Sequence, residues 1–314
     1  MNKIPDFLTF QPVFKERLWG GRELEKLGFK IPEGNIGECW GISAHPHGMS
    51  VIDHGPYKGL TLENIYKQFP QWFNDEKKDR FPLLFKILDA REDLSVQVHP
   101  NDDYGLKHEN DYGKHEAWYV LDAKPNTRIQ IGHHVTKKEH LIESINKSQW
   151  FTLLHYFPAI SRGDVIDIPP GTLHALCAGS LIFEVQQTSD VTYRVFDYNR
   201  IDNNGKKREL HLSKALDVIN VPDNLHSIKN LPTDKYNQFL PLIENNKFKL
   251  SYLKKIHYPF IIQNNNYLCG FLLSGSLTIN GKTIAQNQFF IIPSKIDPRL
   301  IEGEFEGLFI ESII

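Results

Sequence analysis

Apolar residues in this chain recur in short runs separated by Gly, Pro, Asn and Asp, as at 94–99, 118–121, 165–168, 181–185 and 289–292. Runs of that length between turn-forming residues read as strands, and their number predicts a barrel or sandwich. Helical spacing, with apolar residues three or four apart, is clearest at 62–69, 138–147 and 212–219. The pattern is therefore a mainly β body decorated by a few helices. Pro222, Pro232 and Pro241 punctuate a stretch rich in Asn and Asp, which predicts a domain junction and two units, 1–233 and 234–314. Strand-like runs resume at 248–254, 268–279, 282–285, 289–292 and 308–313, and Asn280-Gly281 between two of them signals a hairpin.

Composition narrows the partners. The 314 residues hold 36 Lys and Arg against 38 Asp and Glu, a net charge of -2, without blocks of one sign. No broad basic face is available for nucleic acid or anionic lipid, so a small molecule is the expected partner. No stretch approaches the roughly 20 apolar residues needed to span a bilayer, and residues 1–21 lack an apolar run of secretory length. A cytoplasmic protein, monomeric or a small homo-oligomer, is the expectation. Cys39, Cys177 and Cys269 are odd in number and far apart, which suits buried thiols in a reducing compartment.

The candidate chemistry lies before the junction, since His257 is the one histidine in the strand-rich segment beyond it. In Leu94-Ser95-Val96-Gln97-Val98-His99, strand alternation puts Leu94, Val96 and Val98 on one face and Ser95, Gln97 and His99 on the other. Glu116 heads a neighbouring strand-like run, and the run from Gly163 to Ile168 enters a Pro-Gly turn that delivers His174. Two imidazoles, a carboxylate and an amide oxygen suit zinc and leave room for water or a substrate oxygen. Any one of these side chains alone is more often simply solvated or hydrogen-bonded. His45, His47, His54, His133, His134 and His155, which lack such context, are assigned to that class. The spacing Gly-x5-Pro-x-Gly-x2-His is more specific, with a chance-match probability of roughly a few in a thousand at ordinary Gly and Pro frequencies.

That spacing resembles the second motif of the cupin superfamily, whose members hold a metal inside a jelly-roll barrel. Ala178 stands where that motif usually has Asn. The resemblance narrows further. Phe85-Lys86-Ile87-Leu88, Ser95-Val96-Gln97-Val98-His99-Pro100-Asn101, Lys114-His115-Glu116, Pro169-Pro170-Gly171-Thr172-Leu173-His174-Ala175 and Ser189-Asp190-Val191-Thr192-Tyr193-Arg194 occur in this order. Together they resemble the short bacterial form of type I mannose-6-phosphate isomerase, over most of the chain. The resemblance implies a mainly β fold of two cupin-like jelly-roll barrels, with a small helical insertion in the N-terminal unit. It implies one zinc per chain, held by Gln97, His99, Glu116 and His174, and interconversion of mannose 6-phosphate and fructose 6-phosphate through an enediol. Arg194 would be the catalytic arginine, with Lys86, Lys114 and Asp190 in the active site and Ser95, Lys114 and Arg194 contacting the sugar phosphate. Longer relatives commonly carry His-Lys-Pro-Glu where this chain has Gly113-Lys114-His115-Glu116, so His115 stands as an open candidate for ring opening or proton transfer.

Two other readings share these residues. Two histidines and a glutamate also match the facial arrangement of ferrous cupin oxygenases, against which Gln97 counts as an additional ligand. A non-catalytic sugar-binding module would keep the barrel without turnover. The simultaneous presence of four ligand candidates, Lys114 and Arg194 argues against it.

Overall fold

The computed structural model describes residues 4–74, 79–147, 149, 153–157, 159–201, 205–224, 226–231, 237–255, 260–262, 266–294 and 299–313. The fold is mainly β and cupin-like. The chain divides into two compact units, one of Phe14–Cys39 and Lys86–Asn230, the other of Met1–Val13, Trp40–Phe85 and Leu231–Ile314. The unit that holds the C-terminal segment also takes in two N-terminal segments. Strand pairing is the reason: Leu8–Gln11 lies antiparallel to Phe289–Ile292, Leu8 opposite Ile291, and pairs on its other side with Val51–Ile52. His257 and residues 232–236 lie outside the described residues.

In the C-terminal unit the main path of the sheet runs Leu240–Glu244, Phe248–Lys255, Phe305–Ser312, Leu268–Ile279, Phe289–Ile292, Leu8–Gln11, Val51–Ile52. The Asn280-Gly281 hairpin forms: Ile279 pairs with Lys282, and both turn residues have positive φ, 49° and 76°. A turn of that hand matches the twist of the flanking strands, and Gly at its second position carries no Cβ penalty. The core of this unit gathers Leu272, Leu277, Ile301, Phe305 and Phe309 around the fully buried Phe290, whose ring meets that of Phe309 edge-on at 5.7 Å. Phe290→Ala should therefore cost about 3–5 kcal/mol, read as a lower urea midpoint.

The other unit is built from two sheets. One runs Lys229–Asn230, Asp164–Ile168, Glu116–Ala123, Ser180–Gln187, Leu83–Ala90, Val13–Gly21, Ile36–Ile42, and the second runs Tyr193–Phe196, Val96–Val98, His174–Leu176, Ile129–His133, Leu154–Phe157. Their facing sides share a single apolar cluster, with Leu88, Trp118, Val120, Ile166 and Ile182 from the first sheet and Ile129, Ile131 and Leu176 from the second. On the outer face of the five-stranded sheet, Val96, Val98, Ala175 and Val195 pack with Leu141, Ile145 and Ala215 of helices Lys138–Asn146 and Leu212–Val218. Alternation then sends Gln97, His174 and Arg194 inward, between the sheets. Leu94, which precedes the strand proper, joins the inner cluster and leaves the face predicted for it.

The three expected helices are present as Leu62–Gln68, Lys138–Asn146 and Leu212–Val218. The first begins with a capping box: the Thr61 hydroxyl accepts from Asn64 N at 3.1 Å, and Asn64 Oδ1 accepts from Thr61 N at 3.3 Å. A fourth helix, Asp102–Glu109, was not expected, because it has no apolar stripe and its Leu106 is half exposed. It is started by Asn101, whose side chain accepts from Tyr104 N at 3.0 Å. All three cysteines are buried and none is in a disulfide, and burial raises the thiol pKa of Cys39 and Cys177.

Candidate metal centre and active site

His174 faces Gln97 in the ladder, and Gln97 faces Arg194 on its other side, so three inward side chains stand abreast on neighbouring strands. His99 follows the end of the same strand as Gln97. Across the barrel, Glu116 opens its strand opposite Ile168 and Gln186. The two loops carrying histidines are tied together, since Gly171 N–H donates to His99 O at 2.9 Å. Gly171 has φ 84°, and a Cβ there would lie 2.5 Å from the Asn220 side chain, so the turn that presents His174 requires glycine.

Ligand-type atoms of His99, Glu116 and His174 all lie within 4.8 Å of one another, and the three side chains are essentially fully buried. Each imidazole is oriented by a main-chain carbonyl: His99 Nδ1 is 2.9 Å from Val191 O, and His174 Nδ1 is 2.9 Å from Thr172 O. Donation from Nδ1–H to those carbonyls leaves the Nε2 lone pairs facing the interior. His99 Nε2 is 3.4 Å from Glu116 Oε2, and His174 Nε2 is 3.1 Å from Glu116 Oε1. In that tautomer the second contact is lone pair against lone pair, and Glu116 Oε1 is buried with no hydrogen-bond partner. A cation is the group that satisfies such a meeting of acceptors, so the donor set fits a zinc-type ion. Gln97 Nε2 lies 3.4 Å from His174 Nε2, and turning the amide over would present its oxygen there.

Charges around this point are arranged in pairs. Lys114 Nζ lies against Glu116 Oε2 and 3.1 Å from His99 Nε2. Burial works to raise the Glu116 carboxyl, but the Lys114 ammonium and the contacts from His99 and His174 together outweigh it and hold the group well below the usual carboxylate range. Burial, reinforced by Lys114, pushes His99 down to about 3, which keeps it neutral as a ligand must be. Lys86 Nζ is 3.5 Å from Glu184 Oε1, and Trp118 Nε1 donates to Glu184 Oε2 at 2.9 Å. Burial, then the neighbouring Glu116 charge, raises Glu184.

These groups open onto a cleft of about 490 Å³ whose lining includes Ser95, Gln97, Lys86, Lys114, Asp190 and Arg194. His99, Glu116 and His174 lie buried next to it, in contact with Lys114 and Gln97. Ser95 Oγ is 3.5 Å from Gln97 Oε1. His115 is directed elsewhere. Alternation turns it from Lys114 and Glu116 to the opposite face, where its Nε2 is 3.0 Å from Asp167 Oδ1. It is therefore not in the cleft, and the open possibility of a ring-opening role for it loses its geometric basis. Glu184, Arg208 and Arg17 also line the cleft, and no sequence pattern singles them out.

An inward cluster of two histidines, a glutamate and a glutamine beside a charged cleft defines the class as a protein of cupin-like β fold with a candidate metal centre. Comparison with known proteins narrows the class. A family model described as phosphomannose isomerase type I, catalytic domain, matches residues 7–140. The chain is 42% identical over 309 residues to a probable mannose-6-phosphate isomerase, GmuF, of Bacillus subtilis, covering 95% of this chain and 97% of that one. It is 42% identical over 301 residues to the mannose-6-phosphate isomerase ManA of the same organism, covering 95% of this chain and 88% of the relative. A crystal structure of the mannose 6-phosphate isomerase from Bacillus subtilis superposes with a TM-score of 0.86 at 36% identity, over 98% of this chain and 99% of the other. The chain belongs to the type I mannose-6-phosphate isomerase family and is an enzyme of the isomerase class.

Proposed function

We propose that the protein interconverts mannose 6-phosphate and fructose 6-phosphate through an enediol, with one zinc ion held by Gln97, His99, Glu116 and His174. The observation that carries this reading is the meeting of the two Nε2 lone pairs with the Glu116 carboxylate beside a cleft lined by Lys86, Lys114 and Arg194. Zinc, when bound, supplies a Lewis acid beside the reacting oxygens of the sugar. The remaining work falls to the side chains. The reaction removes the proton at C2 of the aldose and returns one to C1, while the C1 carbonyl becomes a hydroxyl and the C2 hydroxyl a carbonyl.

Glu184 suits the proton transfer, because it lines the cleft and burial raises its carboxyl from the ordinary value. Lys86 beside it steadies the ionised form. Arg194 keeps its charge and donates from a planar fork to the enediolate oxygen. Lys114 holds Glu116 ionised, and Ser95 and Asp190 are available to the sugar hydroxyls. The same reading takes the protein to be a cytoplasmic enzyme, monomeric or a small homo-oligomer, without nucleic-acid or membrane partners. Its balanced charge supports this, and among the described residues no helix is long and apolar enough to cross a membrane.

A coupled assay that follows fructose 6-phosphate formed from mannose 6-phosphate, with dissolved oxygen recorded in parallel, tests the reading. Turnover without oxygen uptake is expected. Oxygen consumption with bound iron and unchanged mannose 6-phosphate would favour the oxygenase, and sugar binding without either reaction would favour the non-catalytic module.

A further inference from the structure

Five cationic side chains line the cleft: Arg17, Lys86, Lys114, Arg194 and Arg208. Three of them are matched individually by a carboxylate. Lys114 lies against Glu116, Lys86 Nζ is 3.5 Å from Glu184, and Arg17 donates from Nε and Nη2 to Glu38 at 2.7 and 3.2 Å. Asp190, which also lines the cleft, acts electrostatically on Arg17 and Lys114.

The remaining part of the cleft is different. Arg200 and Arg208 share one carboxylate, that of Asp197. Arg208 Nε donates to Asp197 Oδ2 at 2.7 Å and its Nη2 lies against Oδ1, while Arg200 reaches the same Oδ1 through Nε at 3.2 Å and Nη2. Arg208 Nη1 has no hydrogen-bond partner among the described residues. The Arg194 guanidinium reaches a main-chain carbonyl, Nη1 to Glu209 O at 2.8 Å, and its Nε is buried without a partner. The Glu209 carboxylate itself is well exposed and screened by solvent. Three guanidinium groups around the one buried carboxylate of Asp197 leave this region with two uncompensated positive charges. Burial, followed by repulsion from Arg208, disfavours the charged form of Arg194, as expected of a cationic cluster without its anion.

We infer that Arg208 is the anchor for the phosphate dianion of the substrate, with Arg194 completing the seat on the side towards Gln97, while Lys86 and Lys114 serve the reacting end of the sugar. A phosphate monoester is close to doubly charged at neutral pH and presents three acceptor oxygens. Its charge equals the local excess, and its oxygens suit the unspent edge of Arg208 and the unpartnered Nε of Arg194. Lys86 and Lys114 would have to abandon buried carboxylates to do the same, which is strongly unfavourable. That the phosphate belongs to a sugar rests on the isomerase reading; the anion seat does not.

The test uses inorganic phosphate as the probe, measured by calorimetry on the zinc-loaded protein and its R208Q and R208K variants, together with steady-state kinetics on mannose 6-phosphate. R208Q should weaken phosphate binding and raise KM by about tenfold to hundredfold, the effect of losing charged hydrogen bonds, with kcat within a few-fold of the native value. R208K, which keeps the charge but not the fork, should fall between the two. A purely structural Arg208 would instead leave phosphate affinity and KM unchanged in R208Q, and that result overturns the inference. Should R208Q not fold, phenylglyoxal labelling of the native protein read by mass spectrometry decides the point. Phosphate must protect Arg208, and equal labelling with and without phosphate overturns the assignment. Phosphate binding that depends on Arg208, in a protein inactive on mannose 6-phosphate, would uphold the anion seat and remove the isomerase reading.

Discussion

Glu116→Gln should leave a protein that neither retains zinc nor turns over mannose 6-phosphate. Glutamine keeps the shape of the side chain and removes its charge. Among the four proposed ligands Glu116 is the one anion, and its carboxylate is also the partner of the buried Lys114 ammonium. The substitution therefore acts twice. A neutral amide is a much poorer zinc ligand, and the buried Lys114 ammonium loses the carboxylate it lies against, keeping only the weaker influence of Glu184 and Asp190, a loss typically of up to about 3–5 kcal/mol in stability. Loss of a metal-supplied Lewis acid removes several kcal/mol of transition-state stabilisation, on the order of 10³-fold or more in rate. Metal analysis after dialysis against a chelator, combined with the coupled assay, measures both consequences. A variant with a full zinc complement and native turnover would remove Glu116 from the site.

Arg194→Ala should lower kcat on the order of 10²- to 10³-fold, the usual consequence of deleting one well-placed donor to a developing oxyanion. Its guanidinium faces inward beside Gln97 and needs no local tuning to stay charged through the reaction. If Arg208 carries most of the phosphate, KM should rise less in Arg194→Ala than in Arg208→Gln, so the two variants separate chemistry from anchoring. Steady-state kinetics of Arg194→Ala at confirmed zinc occupancy decides this. Nearly intact turnover with a large rise in KM would make Arg194 chiefly a phosphate ligand, and no change in either would take it out of the active site.

The part of the site that could be read from sequence is the part written in local pattern. Strand alternation over Ser95 to His99 separates Gln97 from Val96 and Val98, and the Gly163 to His174 spacing encodes a strand, a turn and the histidine it presents. Both features depend only on neighbours in the chain. Glu184 was missed because it sits in an otherwise apolar run, and its importance arises from facing Trp118 across the ladder, which fixes it on the inner side. Arg208 was missed because its role depends on the charge balance with Arg194, Arg200 and Asp197, and no periodicity encodes that balance. Helix Asp102–Glu109 offered only a cap as its signal. The pairing of Leu8–Gln11 with Phe289–Ile292 is likewise a contact between distant parts of the chain, and a boundary drawn at one proline-rich junction does not anticipate it.

The central claim is that one zinc ion per chain, held by Gln97, His99, Glu116 and His174, is required for isomerisation. The most direct measurement is a titration of metal-free protein with zinc, in which fructose 6-phosphate formation from mannose 6-phosphate is recorded after each addition. Activity should be absent at the start, rise linearly, and reach a plateau at one equivalent of zinc. Full activity in the metal-free protein, or none at any zinc level, would contradict it.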